Sequence, residues 1–438
     1  SNSRDCNKGA ERFGIRRDME KQRTYLCIDM KSFYASVECA ERGLSPFETN
    51  LVVADESRGK GAITLAISPK MKALGVKNRC RLFEIPQNIK YIVALPRMSL
   101  YIKYCADIFE IYLDYFSEED IHQYSIDEAF IDVTDYLSVY NLTPKQLAKK
   151  IIDEIAIRTH IPATCGIGTN LFLAKIALDI TAKHCKDHIG ELTEESFKET
   201  LWEHTPITDF WNIAKGTANR LARYGIYTMK GIAHAPEDLL YRNFGKNAKI
   251  LIDHANGRES CTIAEIKSYK SKSKSISNSQ ILFSDYDYDK AHVVIQEMAL
   301  TGCQRLIREH LIASHVGIFV GYSKDVIPQS GGTMKMANST NVYSVVKEYV
   351  DRLYYETISK DVPIRRLGIC FSGLADESAE GYDLFTDVEA LERERKLENA
   401  VLEIKDRFGK NAMLRAFDLQ EGATQITRNK LIGGHNGE

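Results

Sequence analysis

Three acidic residues carry the chemistry open to this sequence. Asp127 and Glu128 stand side by side in Ser125-Ile126-Asp127-Glu128-Ala129-Phe130, with apolar and β-prone residues on both flanks. Adjacent residues on a strand face opposite ways, so one carboxylate points inward unless a hairpin tip or a cation holds it. A buried carboxylate without compensation is costly, and metal coordination relieves that cost. Taken alone, the stretch reads as a hairpin with a solvated, inert Asp-Glu turn. Asp29 changes the reading. Residues 24–29 form a short buried strand ending in this acid, and a helix follows from Met30 to Glu38 with Ser32 as its candidate cap. In open α/β layouts ligands bind at such strand ends. Three carboxylates in one cleft repel one another unless cations bind there, and an oxygen-only set suits Mg²⁺. Two such ions serve phosphoryl transfer: one lowers the pKa of an attacking hydroxyl, the other neutralises a departing pyrophosphate. Lys72 and Lys183, on separate helices, supply charge for phosphates. Phe33 and Tyr34, one turn after Asp29, offer rings to a bound nucleotide.

The elements that must position these residues follow from the pattern. Strands are expected at 51–54 and 91–95. A short helix runs from Pro69, with Gly75 at its end, and a longer one spans 98–116. Then come the 125–130 hairpin, a helix at 144–158, a strand at 163–168 and a helix at 170–183. This alternation makes residues 24–190 one α/β or α+β domain. From about 191 short helices take over. Within them Ile213–Ile226 reads either as a helix–hairpin–helix, whose Gly turn at a helix start can hold a phosphate, or as an ordinary helix pair. Residues 267–275 carry four lysines and no acid. That stretch is either a solvated linker or a basic tether to a phosphate backbone. Residues 276–374 show the order βαββαβ, and a charged helix at 386–408 leads to the tail.

Composition narrows the class. A chain of 438 residues holds two to four domains. With 44% hydrophobic and 27% charged residues it reads as an ordinary soluble protein. The net charge of −2 does not advertise a nucleic-acid binder, so any basic footprint is local. The ten cysteines form no C-x-x-C, and several sit in apolar runs, which points to reduced thiols in the cytoplasm. No run of ~18 apolar residues and no signal-peptide layout implies a membrane span or export.

The run Ile28-Asp29-Met30-Lys31-Ser32-Phe33-Tyr34-Ala35-Ser36-Val37-Glu38, followed by Ser125–Phe130, resembles the Y-family translesion DNA polymerases. The nearest branch is the bacterial mutagenesis polymerases of the polymerase V catalytic-subunit type. The likeness extends over most of the chain: Lys72–Val76 resembles the fingers helix, Leu173–Lys183 the palm helix, and Ile364–Ile369 the last little-finger strand. It implies an α+β multidomain right hand: an N-terminal arm (1–23), palm (24–32 and 98–190), fingers (33–97), helical thumb (191–258), basic linker (259–275), βαββαβ little finger (276–376) and C-terminal helix and tail (377–438).

The resemblance also implies roles. Asp29, Asp127 and Glu128, with the main-chain carbonyl of Met30, hold two Mg²⁺ ions, or Mn²⁺; Glu128 also helps activate the primer 3′-hydroxyl. Tyr34 is the steric gate against a 2′-hydroxyl, and Phe33 supports it. Ser32, Lys72 and Lys183 meet the triphosphate. Lys215, Gly216, Thr217, Lys270, Lys272 and Lys274 meet primer–template DNA. Asp383-Leu384-Phe385 resembles a sliding-clamp peptide without its glutamine, or else is an apolar entry to the next helix. Many family members have a tyrosine three residues before the fingers cation; here Pro69 stands there, so a phosphate contact is either missing or moved to Thr64, Ser68 or Lys70. The expected activity is low-fidelity, template-directed addition of deoxynucleotides to a primer in the DNA-damage (SOS) response, by a monomer with or without accessory subunits. A nucleotidyl cyclase on a related palm and a non-catalytic DNA-binding relative are the alternatives.

Overall fold

The first strand, β1 (Tyr25–Met30), is apolar along nearly its whole length, and residues Tyr25 to Ile28 are at most 2% exposed. A strand covered on both faces reads as a continuous apolar run, not as an alternation. The structure, a computed structural model, describes residues 21–271 and 274–437; residues 1–20 of the N-terminal arm and Lys272 lie outside the described residues. Two compact units emerge, one built mainly from residues up to Tyr269 and one from Lys270 onward.

In the first unit β1 leads into α1 (Phe33–Glu41), β2 (Leu51–Val53), β3 (Ala66–Ile67), α2 (Pro69–Ala73), β4 (Ile92–Ala94) and α3 (Met98–Tyr115). Then follow β5 (Ile121–Gln123), β6 (Glu128–Asp132), α4 (Tyr136–Tyr140), α5 (Pro144–Thr159), β7 (Ala163–Gly168), α6 (Leu171–Ile176) and β8 (Ile189–Leu192). The central sheet has the order β5-β6-β1-β7-β8. β1 is antiparallel to β6 and β7, whereas β8 runs parallel to β7. The pattern at 189–192 did not announce β8. A three-stranded sheet, β3-β2-β4, packs Val52 and Ile67 with Met71 of α2.

Glycines set how close α6 lies to the sheet. A Cβ on Gly166 would meet the carbonyl oxygen of Ala174 at 2.1 Å, and one on Gly168 would meet the Ala174 nitrogen at 2.2 Å. Without side chains there, backbone packs on backbone. Phe172, Leu173 and Ile176 of α6 join a helical core, while Leu171 and Ala174 meet Tyr25, Cys27 and Phe130 of the sheet. The helical core comes from α7 (Glu194–Leu201), α8 (Lys215–Ala222), α9 (Met229–His234), α10 (Glu237–Phe244) and α11 (Asn247–Ala255). Beyond Ile176 the expected helix to 183 continues as a π turn, Ala177–Thr181, and a 3₁₀ turn, Ala182–His184.

Several boundaries need correcting. Residues 259–268 are not linker: α12 (Ile263–Ser268) forms there under a capping box between Thr262 and Glu265. Its Ile263 is buried in the sheet core. Ser32 stands before α1 but does not cap it; it is left-handed at φ 47° with no side-chain cap bond. Stretches 55–62 and 95–97, expected in the fingers, group with the second unit.

The second unit follows the order βαββαβ: β9 (Ile276–Tyr286), α13 (Tyr288–Arg308), β10 (Leu311–Tyr322), β11 (Ser330–Thr340), α14 (Tyr343–Thr357) and β12 (Ile364–Asp376). The sheet order is β11-β10-β12-β9, antiparallel throughout. α15 (Val388–Phe408) packs on α13, where Gln304 donates to Glu398 at 3.1 Å. The tail adds α16 (Gln425–Arg428) and a hairpin, β13 (Leu431–Ile432) and β14 (His435–Asn436). The expected separate C-terminal segment is therefore part of this unit.

Candidate active site

Strand register brings the acids together. Asp29 and Glu128 are cross-strand partners in β1 and β6. One residue further on, the Met30 N–H donates to the Asp127 carbonyl at 2.9 Å. The β5–β6 hairpin closes tightly, because the N–H groups of Tyr124 and Ser125 both donate to the Glu128 carbonyl, at 2.9 and 3.1 Å. Ser125 Oγ donates to Asp127 Oδ1 at 2.8 Å and orients that carboxylate.

Glu128 is 9% exposed, and its Oε1 accepts from Lys175 Nζ at 2.7 Å and from Cys27 Sγ at 3.3 Å. Lys175 also pairs with Asp179 at 3.1 Å and lies 5.9 Å from the Tyr124 ring centroid. Burial opposes the Lys175 charge, but Asp179 and Glu128 hold the ammonium protonated, with a net upward shift. Burial raises the Glu128 carboxyl, and Lys175 pulls it back. Asp29 is pushed up to about 8, first by burial and then by the charges of Asp127 and Glu128. The sequence reading did not assign Lys175 or Cys27. A lone lysine in Leu171-Phe172-Leu173-Ala174-Lys175-Ile176-Ala177-Leu178, four residues before Asp179, was the available signal.

Among the described residues no three His, Cys, Asp or Glu side chains form a ready-made cation cage. Glu128 Oε1 is engaged by Lys175 and Cys27. The remaining pair, Asp29 and Asp127, fits a hard divalent ion, which takes one or two carboxylates and completes its shell from water and phosphate. Burial first, and the charges of Asp127 and Glu128 after it, disfavour an ionised Asp29 in this cleft.

The aromatic wall lies beside these acids. Tyr34 stacks on Tyr101, with centroids 4.5 Å apart and an 18° tilt. Phe33 is buried, 5.8 Å from Tyr34. Tyr101 donates to Glu38 at 2.8 Å, and Arg42 pairs with Glu38 at 2.5 Å. Burial, then the Asp127 charge, raises the Tyr34 phenol. The Tyr101 buttress was not foreseen, since an aromatic on a helix reads as ordinary core.

On the cationic side, α2 presents Lys72. Burial lowers its pKa, Asp29 raises it and Lys183 lowers it again, so the three charges share one field. Ser32 lies in the turn between Asp29 and α1. Elsewhere in the first unit, Lys215, Gly216 and Thr217 open α8, whose cap residue Ala214 gives no side-chain bond. Lys270 and Lys274 belong to the second unit and are exposed. There too, Asp383 accepts from the N–H of Phe385 at 3.0 Å and from Thr386 Oγ1 at 2.7 Å, while Leu384 and Phe385 are 99% and 96% exposed.

The sequence profile of the impB/mucB/samB family matches residues 28–179, and that of the impB/mucB/samB family C-terminal domain matches 273–384. DNA polymerase IV 2 of Bacillus subtilis (strain 168) is 33% identical, covering 95% of this chain and all of the relative. DNA polymerase IV 2 of Halalkalibacterium halodurans is 32% identical over 93% of this chain and 98% of the relative. A Y-family DNA polymerase chimera of Dbh and Dpo4 shares the fold at a TM-score of 0.62, with 21% identity, covering 81% of this chain and 99% of that one. The chain thus belongs to the impB/mucB/samB family of Y-family DNA polymerases.

Proposed function

We infer that this chain is a template-directed DNA polymerase that adds deoxynucleotides to a primer 3′ end and tolerates damaged templates. The observation that carries this reading is the cross-strand pair Asp29–Glu128 with Asp127 tied to the end of β1, in a chain of this family. Family membership implies a divalent-metal-dependent reaction. We assign two Mg²⁺ ions, with Mn²⁺ as substitute, to Asp29, Asp127 and the Met30 carbonyl, with Glu128 at the edge. Such ions, when bound, lower the pKa of the attacking hydroxyl and neutralise the departing pyrophosphate.

The residues then divide the work. The primer 3′-oxygen attacks the α-phosphorus, the bond to the β-phosphate breaks, and pyrophosphate leaves. Oε1 of Glu128 is tethered by Lys175 and Cys27, and Oε2 makes no hydrogen bond among the described residues. That leaves Oε2 to take the hydroxyl proton. Tyr34, backed by Phe33 and Tyr101, closes the space a 2′-hydroxyl needs. Lys72, Lys183 and the Ser32 turn receive the triphosphate. Lys215, Gly216, Thr217, Lys270 and Lys274 track the DNA backbone, and the open first turn of α8 supports this.

We assign palm, fingers, thumb and little finger to the ranges expected from sequence, with stretches 55–62 and 95–97 taken out of the fingers and the thumb side extended to Ser268. The exposed Leu384-Phe385 pair, braced by Asp383, supports a sliding-clamp contact. The described cysteines are all free thiols, in keeping with the cytoplasm. A cyclase would need neither the helical module nor the second unit. The deciding experiment is primer extension with Mg²⁺ on intact and lesion-bearing templates. Asp127→Ala is expected to abolish extension and keep primer–template affinity; retained extension would sink the assignment.

A further inference from the structure

Tyr124 follows β5 directly and meets the Glu128 site twice. Its main-chain N–H donates to the Glu128 carbonyl at 2.9 Å. Its ring centroid lies 5.9 Å from Lys175 Nζ, within cation–π reach. Lys175 in turn holds Glu128 Oε1 at 2.7 Å. Phe130 packs against the Tyr124 ring edge to face, with centroids 5.6 Å apart. The ring is nevertheless 44% exposed, so core packing alone does not fix it.

The remaining hold comes from the segment that leads into α8. Trp211 Nε1 donates to Tyr124 Oη at 3.1 Å, and the two rings meet edge to face at 6.0 Å. Trp211 is itself well anchored. It packs against both the sheet core and the helical core. Phe130 stands 6.0 Å from it, and His254 of α11 lies parallel to it at 6.2 Å with an 11° tilt. His254 is buried; it stacks on Phe172 at 4.1 Å, and its Nε2 lies 3.0 Å from Glu259 Oε1. A line of contacts therefore runs from the helical core through Trp211, Tyr124 and Lys175 to Glu128. A lysine ammonium on a four-carbon stem is free to wander unless its surroundings confine it. The Tyr124 ring closes one side of that space.

We propose that Tyr124 and Trp211 are positioning residues for Glu128: Trp211 fixes the Tyr124 ring against Lys175, and Lys175 then keeps the Glu128 carboxylate in its working orientation. The role rests on the polymerase reading of Glu128. Neither residue touches the substrates, so the effect belongs to the rate of the chemical step and not to binding.

The test is single-turnover primer extension with Mg²⁺ by the full chain and its variants. Tyr124→Phe removes the hydroxyl and keeps the ring; Trp211→Phe removes the donor and keeps an aromatic between the two cores. Each is expected to lower the maximal rate about 2–10-fold, the size of one neutral hydrogen bond. Half-saturation by the nucleotide and primer–template affinity should stay within about twofold of the parent. The double variant should be no slower than the slower single one, because both changes remove the same bond. Tyr124→Leu, which also takes the ring away from Lys175, should fall about twofold or more below Tyr124→Phe. Single variants with the parent's rate, losses that multiply in the double variant, or losses that lie in nucleotide or DNA binding overturn the proposal. A parent that never extends a primer overturns the polymerase reading instead. The same cycle read in urea melts then decides the line of contacts: coupled losses uphold it and independent losses overturn it.

Discussion

Lys175 Nζ lies 2.7 Å from Glu128 Oε1, and both side chains are 11% exposed. The pair is therefore an internal one, and removing one partner strands the other charge. Lys175→Ala is expected to destabilise the fold by about 3 kcal/mol or more, the usual cost of breaking a buried pair. Urea melts measure it. Adding Glu128→Gln should recover part of the loss, and a double variant no more stable than Lys175→Ala would show that the pair is not the cause.

Asp29 gives a pH signature with a definite sign. Its carboxyl is raised to about 8 in the metal-free fold, against about 4 in an unfolded chain. Between those values the folded chain keeps a proton that the unfolded chain has released, so stability falls as pH rises through the window. Asp29→Asn should therefore melt several degrees higher than the parent at pH 8 without metal, and nearly level with it at pH 4. Mg²⁺ should stabilise the parent at pH 8 and do little for the variant. Thermal melts with and without chelator read both effects; a parent whose stability rises from pH 5 to pH 8 relative to the variant would contradict the account.

Sugar selection should show a graded response. Tyr34→Ala is expected to admit ribonucleotides freely. Tyr101→Leu leaves the gate ring in place but removes its stacking surface, worth about 0.5–1.5 kcal/mol. Discrimination between deoxy- and ribonucleotides should then fall about 2–10-fold. Single-nucleotide insertion kinetics with both sugars test this, and unchanged selectivity in both variants would remove the gate from the mechanism.

Leu384 and Phe385 are almost fully exposed, so changing both to Ala should leave the melting temperature where it is. Clamp-stimulated extension should drop to the level seen without clamp. Stimulation that survives the double substitution would return this segment to a plain helix entry.

The acids were legible in the sequence because each ends or begins an apolar run, and strand ends are where such a fold binds ligands. The βαββαβ order was legible because both helices are long and the strands alternate with them. Strand β8 was not, because Ile189-Gly190-Glu191-Leu192 is short and pairs in parallel with β7, so no hairpin turn announces it. Charged Glu265 and Lys267 hid α12, which the Thr262 cap starts and which Ile263 and Ile266 attach to the sheet core. Lys175 was passed over because Lys183 matched the family pattern, and nothing in spacing reveals which of two lysines turns inward. Gly166 and Gly168 let the helix backbone that carries Lys175 settle onto the sheet.

The π turn at Ala177–Thr181 governs the angular phase between those two lysines. At about 100° per residue, eight α-helical steps would swing Lys183 roughly 80° away from the direction of Lys175. A π turn spends one additional residue per revolution, which rewinds that angle before the closing 3₁₀ turn begins. One continuous segment can thus present one cation to Glu128 and another to the field around Lys72, with the widened turn as the phase adjustment between them.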